Sequence, residues 1–252
     1  MRRAAARSQC ANNLHQIAVG LQDYADAHPG TSQAGRKAPT LPAGTVPNTA
    51  LSPEQRLSWL VEVLPFVEQD ALSRRIDRQA AWDAPANATA VRQPLGIFHC
   101  PDWGRETAPD PPYLTAYVGV AGRGPGAATL PAGHRHAGVF GFDRRTALAD
   151  ITDGASCTLL ILESARENGP WAQGGPATVR GLDSEEQPYL GTGRPFGGTH
   201  FAENTVFGRG GSVGCNAAMA DGAVRFLNEN IAPHVLEALA TIAGGEDVGS
   251  DW

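Results

Sequence analysis

The feature that most constrains the fold is an apolar stripe near the start of the sequence. It consists of Cys10, Leu14, Ile17, Leu21 and Tyr24, which recur at spacings of four, three, four and three residues. Side chains with this spacing lie on one face of an α-helix. The pattern therefore predicts a helix over residues 3–27 that packs against the rest of the chain by one face only.

The two ends of this predicted helix differ in character. It is followed by His28-Pro29-Gly30, and Pro29 ends a helix because it disfavours helical backbone at His28 and has no N–H to donate. Residues 31–51 are rich in Pro, Gly, Thr and Ala, which is typical of a long surface loop. Four polar residues fall off the apolar stripe and are expected to point away from the core: Asn12, Asn13, Gln16 and Asp23.

Further helices are indicated by capping signals. Ser52, Pro53 and Gln55 form a capping-box pattern that places the start of a second helix at Ser52, and Pro65 should break or kink that helix. A short helix is predicted within residues 87–95. A last helix should begin at Pro233 and end before Gly244.

Strand-like segments begin in the middle of the chain. Residues 113–120, 138–142 and 157–163 are short β-branched or aromatic runs bounded by Gly, Pro and Asp, as expected for strands. Asp-Gly pairs at 153–154 and 221–222 are the two strongest turn signals. The second pair lies between two strand-like runs and predicts a hairpin with a type I′ turn. The turn residues are Asp153, Gly154, Asp221 and Gly222.

Charge and hydropathy exclude some classes of protein. The formal net charge is -6, which gives no general attraction to nucleic acid, so no nucleic-acid partner is expected. Arg2, Arg3 and Arg7 form one basic cluster, which is either the flank of a membrane segment or a solvated helix end. No window approaches the ~18 apolar residues needed to span a bilayer.

Motifs for catalysis are absent from the sequence. There is no nucleophile elbow, phosphate-binding P-loop, H-E-x-x-H helix or dinucleotide fingerprint, so an enzyme is not predicted. His134 and His136 could share a metal ion if they lay on one strand, but Gly133 and Gly138 flank them and favour a solvated loop. An enzyme would have to use these histidines, His200 and Glu163.

A second candidate metal set combines three carboxylates and an imidazole. Asp153, Glu163, His200 and Asp221 could bind calcium, although their spacing does not match an EF-hand. A role in turns suffices to explain Asp153 and Asp221. Calcium is therefore the only cofactor that the residues suggest, and the favoured interpretation is that the protein has no cofactor.

The four cysteines are widely spaced: Cys10, Cys100, Cys157 and Cys215. No C-x-x-C pair indicates a zinc or redox motif. The residues alone favour two disulfides formed in an oxidising compartment, with four buried free thiols as the alternative. Three pairings are possible, and the spacing does not choose among them.

Several blocks together resemble a large planctomycete family of prepilin-type proteins of unknown function. The blocks occur in the family's order and cover nearly the whole chain, from the Arg-Arg-Ala-Ala-type start to the Gly-Gly pair near the end. They lie at residues 2–17, 58–69, 98–102, 117–119, 151–156, 196–200, 220–226 and 238–245. Each block is weak alone, but the ordered set is specific.

The resemblance implies an α+β, pilin-like fold. A long N-terminal helix, residues 1–28, would be the soluble half of a pilin spine, and residues 29–252 would form the globular body of the same domain. The helix would pack on a small antiparallel sheet with large loop insertions. In that family a cleaved and methylated leader and a hydrophobic helix precede this segment, so a membrane anchor is expected upstream.

The function implied is structural. The chain would be a non-catalytic pseudopilin-like or minor-pilin-like subunit at the cell envelope or surface, in contact with other pilin-like subunits or envelope components. The alternative is a surface module that binds calcium or carbohydrate through Trp103, Trp171 and the Gly-rich loops.

Two departures from the family pattern affect the site residues. The family has a His soon followed by Asp-Gly, whereas here 20 residues separate His200 from Asp221, which implies an enlarged loop. Cys10 and Cys100 match the family, whereas Cys157 and Cys215 do not. The resemblance therefore implies the disulfides Cys10–Cys100 and Cys157–Cys215.

Overall fold

The computed structural model describes residues 2–101, 113–197, 200–201, 213–246 and 248–249 of the 252-residue chain. Its fold mixes helices with a sheet. Within the described residues, no helix combines the length and apolar composition that a membrane span requires.

The predicted N-terminal helix is confirmed as α1, Arg2–Ala27. All five residues of the apolar stripe are buried, whereas Val19 on the opposite face is 42% exposed. The helix ends where His28 N–H donates to Tyr24 O at 2.9 Å, directly before Pro29. The 3.6-residue period of the sequence therefore located this element and its buried face.

The other helices are short. They are α2 (Trp59–Val63), α3 (Asp70–Ser73), α4 (Ala88–Val91) and α5 (Pro233–Leu239). The start predicted at Ser52 is wrong: Gln55 Oε1 does accept Ser52 N–H at 3.2 Å, but residues 52–56 form a turn. The helix begins only after Ser58 because the preceding backbone bonds to other segments: Leu57 O accepts Val46 N–H at 2.8 Å, and Ser58 N–H donates to Ala172 O at 2.9 Å.

One mixed sheet forms the centre of the molecule. A small hairpin is separate from this sheet. It pairs two strands of two residues each, β1 (Gly30–Thr31) and β2 (Lys37–Ala38). The central strands run in the order β5-β3-β4-β7-β8, and the two-residue β6 continues the line of β4 along β7. Their bounds are β3 Tyr117–Arg123, β4 Leu159–Glu163, β5 Val179–Leu182, β6 His200–Phe201, β7 Val213–Met219 and β8 Val224–Asn228.

The resemblance implied an antiparallel sheet, but the observed sheet is mixed. Strand β5 pairs parallel with β3, while the other pairs are antiparallel. The connection over residues 164–178 passes beyond β3 before β5 begins. β5 therefore runs opposite to β4 and in the same direction as β3.

Helices α1 and α5 cover opposite faces of this sheet. Successive side chains of a strand point to opposite faces, and the two hydrophobic clusters follow that alternation. Tyr117 and Ala218 pack in the cluster that contains the α1 stripe, whereas Val118 and Ala217 pack with Leu236 of α5. The sheet therefore lies between two apolar layers.

Two further segments differ from their predictions. Residues 138–142 are not a strand. Gly138 and Phe140 donate their N–H groups to Ala121 O and Val120 O, but their own carbonyls accept from the buried Arg144 guanidinium instead of a neighbouring strand. Residues 41–46 are buried, so the predicted surface loop over residues 31–51 is partly core.

The hairpin between β7 and β8 forms around the second Asp-Gly pair, as predicted, but its turn is not type I′. That type needs positive φ at two successive residues. Here Gly222 has φ +88° and Asp221 has no positive φ. Instead, the Asp221 carboxylate accepts Ala223 N–H at 2.9 Å and stabilises a longer connection.

Candidate functional site

Four residues with chemically active side chains meet where α1 crosses the sheet. Cys10 lies on α1, Cys100 follows a 3₁₀ turn, Glu163 ends β4 and His200 lies on β6. One donor atom from each lies within 4.8 Å of the other three, and all four residues are buried. The described part of the chain thus brings two sulfurs, an imidazole and a carboxylate into one cluster.

A disulfide joins Cys10 to Cys100, with 5.3 Å between their Cα atoms. This is the first of the two pairs that the resemblance implied. Asn13 secures the same junction, because its side-chain amide donates to Gly96 O and His99 O at 3.1 Å each. The expectation that Asn13 points away from the core is therefore wrong.

The other implied disulfide is not formed, since Cys157 and Cys215 are both free thiols. Leu159, two residues after Cys157, lies opposite Met219. Met219 is four residues, or about 13 Å, along the extended strand from Cys215. A disulfide needs Cα atoms within about 7 Å, so this pair is too far apart.

Glu163 carries a charge that is fully removed from solvent. One carboxylate oxygen accepts the Asn216 backbone N–H at 2.7 Å, and the other accepts the Asn216 side-chain amide at 3.3 Å. His200 Nε2 lies 3.2 Å from the carboxylate and 3.6 Å from Cys100 Sγ. A buried charge is tolerable when it is paired and hydrogen-bonded in this way.

Two neutral groups lie beside the Glu163–His200 pair. Tyr117 is the cross-strand partner of Glu163, and its hydroxyl donates to Cys10 O at 3.4 Å. Burial raises the pKa of Tyr117 well above its usual value, and the Glu163 carboxylate adds to that effect. The same two causes raise the pKa of the Cys215 thiol. Both side chains therefore stay protonated near neutral pH.

A family profile described as "Protein of unknown function (DUF1559)" matches residues 1–234, which include all four site residues. The chain belongs to the DUF1559 family. Neither the curated proteins nor the solved structures contain a match.

In this DUF1559 protein the predicted calcium set is divided between distant places. Glu163 and His200 meet, but Asp153 binds the end of the α5 segment, accepting Gly244 N–H at 2.7 Å and Gly245 N–H at 3.1 Å. Asp221 caps its own turn. Calcium takes six to eight oxygen ligands. Of the two residues that meet, Glu163 supplies two carboxylate oxygens and His200 supplies none, so the four predicted residues do not form a calcium site.

The other candidate residues have structural surroundings. His134 Nδ1 accepts His136 N–H at 3.1 Å, and Arg135 Nε donates to His136 Nε2 at 3.0 Å, all in an exposed segment. Trp171 is 1% exposed and donates its indole N–H to Gln93 O at 3.2 Å, so it offers no contact face. Trp103 lies outside the described residues.

Sequence reasoning named Glu163 and His200 but did not associate them with the cysteines. One signal was present: Glu163 follows the apolar run 159–162, where an ionised side chain needs a partner. That partner, His200, lies on β6, and a strand of two residues is too short to show a recognisable period in the sequence. The cluster therefore becomes visible only in three dimensions.

Proposed function

We propose that this DUF1559 chain is a non-catalytic, pilin-like structural subunit of the cell envelope. In the proposal, α1 is the body-attached part of a spine, and an apolar segment that precedes it anchors the protein in the membrane. Other pilin-like subunits or envelope components would be its partners. The resemblance to prepilin-type proteins suggests this role, and one structural observation supports it.

That observation is the one-sided attachment of α1. From Cys10 to Ala25 one face of the helix is buried against the sheet, whereas Ala5, Ser8 and Gln9 are exposed. Side-chain bonds hold the attached part, with Gln22 donating to Ala220 O at 2.6 Å. The turn before Cys10 is partly attached, since Arg7 lies over the Phe226 ring at 4.2 Å while Ser8 and Gln9 are exposed. A helix that is fixed to the body chiefly by its later turns suits a spine.

The cluster at Cys10 strengthens the same attachment. The disulfide to Cys100 closes a loop of 90 residues, and the Glu163 and His200 side chains bond each other beneath it. A cross-link of this length restricts the unfolded chain strongly. A force applied along α1 would therefore be transmitted to the Cys100 segment of the body through a covalent bond.

Membrane fractionation of the complete gene product tests the proposal. The complete reading frame, including any codons upstream of Met1, is expressed in a bacterial host with a C-terminal epitope. We expect the product to sediment with membranes, to resist alkaline carbonate and to be released by detergent. A matched variant that begins at Met1 should stay in the supernatant.

Two results would contradict the proposal. One is a reading frame without an apolar segment upstream of α1. The other is a full-length product that remains in the supernatant after leader cleavage. Cross-linking of membrane-associated product into oligomers would further support assembly with other subunits.

A further inference from the structure

We propose that Cys10, Cys100, His200 and Glu163 form a zinc site when the disulfide is reduced. The two cysteines would then bind the ion as a pair of thiolates. The inference rests on the geometry of the cluster and is independent of the proposed envelope role. Its failure would leave that role untouched.

The distances between the donor atoms suit a small tetrahedral site. With zinc bonds of about 2.0–2.3 Å, neighbouring ligand atoms in a tetrahedron lie roughly 3.3–3.8 Å apart. His200 Nε2 lies 3.6 Å from Cys100 Sγ and 3.2 Å from the Glu163 carboxylate. All four donor atoms lie within 4.8 Å of one another, so once reduction lets the two sulfurs separate, the remaining pairs need to close by at most about 1 Å.

The donor types select zinc over calcium. Calcium requires many oxygen ligands, whereas thiolate, imidazole and carboxylate together are typical of zinc. The four donors fill a tetrahedron, and all four residues are buried, so a bound ion would have no open position for a substrate. The site is therefore of the structural kind.

Neighbouring groups already orient the ligands. The Asn216 backbone N–H and side-chain amide hold the Glu163 carboxylate, and each carboxylate oxygen has a second lone pair for a metal. Such outer partners commonly raise metal affinity by about 10- to 100-fold. The Tyr117 hydroxyl meanwhile bonds Cys10 O and fixes the helix beside the site.

The redox step is balanced with a phosphine as reductant. The phosphorus attacks one sulfur, the S–S bond breaks, and water then supplies the oxygen of the resulting phosphine oxide. Two electrons from phosphorus and two protons from water give two thiols. Binding of Zn²⁺ displaces both thiol protons to the buffer, and neutral His200 binds through Nε2.

Cobalt substitution provides the direct test. Protein treated with a phosphine and then freed of it is titrated with Co²⁺ under anaerobic conditions and then with Zn²⁺. We expect one cobalt per chain, tetrahedral d–d bands and a thiolate-to-cobalt charge-transfer band that Zn²⁺ abolishes. Untreated protein, with its disulfide intact, should show none of these.

Variants identify the ligands. The double variant Cys10→Ser/Cys100→Ser should lose the charge-transfer band, and His200→Ala should weaken binding at least tenfold. Asn216→Ala should weaken binding by about 10- to 100-fold while leaving the band in place. Cys157→Ser is the matched control and should bind cobalt as the original chain does.

Three results would overturn the inference. The first is the absence of a charge-transfer band in reduced protein that circular dichroism shows to be folded. The second is a band that survives Cys10→Ser/Cys100→Ser and disappears in Cys157→Ser. The third applies if reduction unfolds the chain: failure of Zn²⁺ to restore the dichroism of the folded state.

Discussion

At the scale of single residues, Glu163 imposes the strongest demands on its neighbours. It ends an apolar strand with no access to water, and the groups that compensate its charge come from β6 and β7. The residue type and its apolar flank could be read from the sequence, and they indicate that a partner exists. The identity of the partners could not be read from the sequence, because His200 and Asn216 lie 37 and 53 residues away along the chain.

Replacing Glu163 with Leu should destabilise the protein by about 3–5 kcal/mol, because the imidazole and the amide lose their buried partner. Glu163→Gln keeps an acceptor and should cost less, about 1–3 kcal/mol. Urea unfolding followed by circular dichroism measures both. The exposed Glu185→Gln is the control and should change stability by less than about 0.5 kcal/mol. Equal stabilities for Glu163→Leu and the control would contradict this account.

The cysteines should differ in reactivity according to burial and bonding. In native protein without reductant, a maleimide should label Cys157 alone, because Cys215 is buried and its thiol has a raised pKa. In denaturant Cys215 should react as well. Cys10 and Cys100 should react only after reduction. Mass spectrometry of tryptic peptides locates each label, and native labelling of Cys215 would show that its surroundings open readily.

At the scale of elements, α1 shows when a local pattern is sufficient. Its stripe spans about four turns, so the period is long enough to specify both the helix and its buried face. The start of α2 shows the opposite case. One bond of its capping box forms, from Ser52 N–H to Gln55 Oε1, yet the helix starts later because the backbone of Leu57 and Ser58 bonds to other segments. The position of a short helix is determined more by its tertiary contacts than by its capping residues.

Truncation on the two faces of α1 should have very different effects. Leu14→Ala leaves a cavity beneath the helix and should cost about 2–5 kcal/mol. Val19→Ala, on the exposed face of the same helix, should change stability by less than about 0.5 kcal/mol. Chemical denaturation compares the two directly. A similar loss in both variants would mean that α1 is not held by the stripe.

Helix α5 is fastened by a buried carboxylate whose neighbour titrates at high pH. Glu237 accepts the Tyr189 hydroxyl at 2.5 Å and the Gln187 amide at 2.9 Å, and it pairs with Arg123 at 2.9 Å. Burial, with the bond to Glu237 as the next cause, raises the pKa of Tyr189 from 10.0 to about 12. The folded state therefore retains a proton that the unfolded state loses first.

The resulting stabilisation should be complete below pH 10 and decline as the pH rises towards 12. Tyr189→Phe lacks the titrating group, so its stability deficit relative to the original chain should shrink over that interval. Urea midpoints for both chains at several pH values measure the difference. Glu237→Gln removes the neighbouring charge and should make the Tyr189 contribution less dependent on pH. A deficit that stays constant from pH 9 to 12 would contradict the assignment.

At the scale of the whole molecule, the mixture of a sheet and an N-terminal helix follows from the sequence, but the path of the chain does not. Nothing in the Val179–Leu182 segment shows that it pairs parallel with β3, because that pairing depends on how residues 164–178 cross the sheet. Likewise, the two-sided core requires β3 and β7 to bury both faces. Pairing between strands that are distant in the sequence determines these features, and the local hydrophobic period does not indicate which strands pair.

Because α1 and α5 pack on opposite faces of one sheet, the helix and the body should unfold together. Leu14→Ala and Leu236→Ala each remove a fully buried side chain, one from each hydrophobic cluster. The two sites share no cluster, so the losses should add in the double variant to within about 0.5 kcal/mol. All three variants should retain one transition by circular dichroism and by tryptophan fluorescence. If fluorescence and dichroism separate in Leu14→Ala, α1 detaches before the sheet unfolds, and residues 1–28 do not belong to the same cooperative unit as the body.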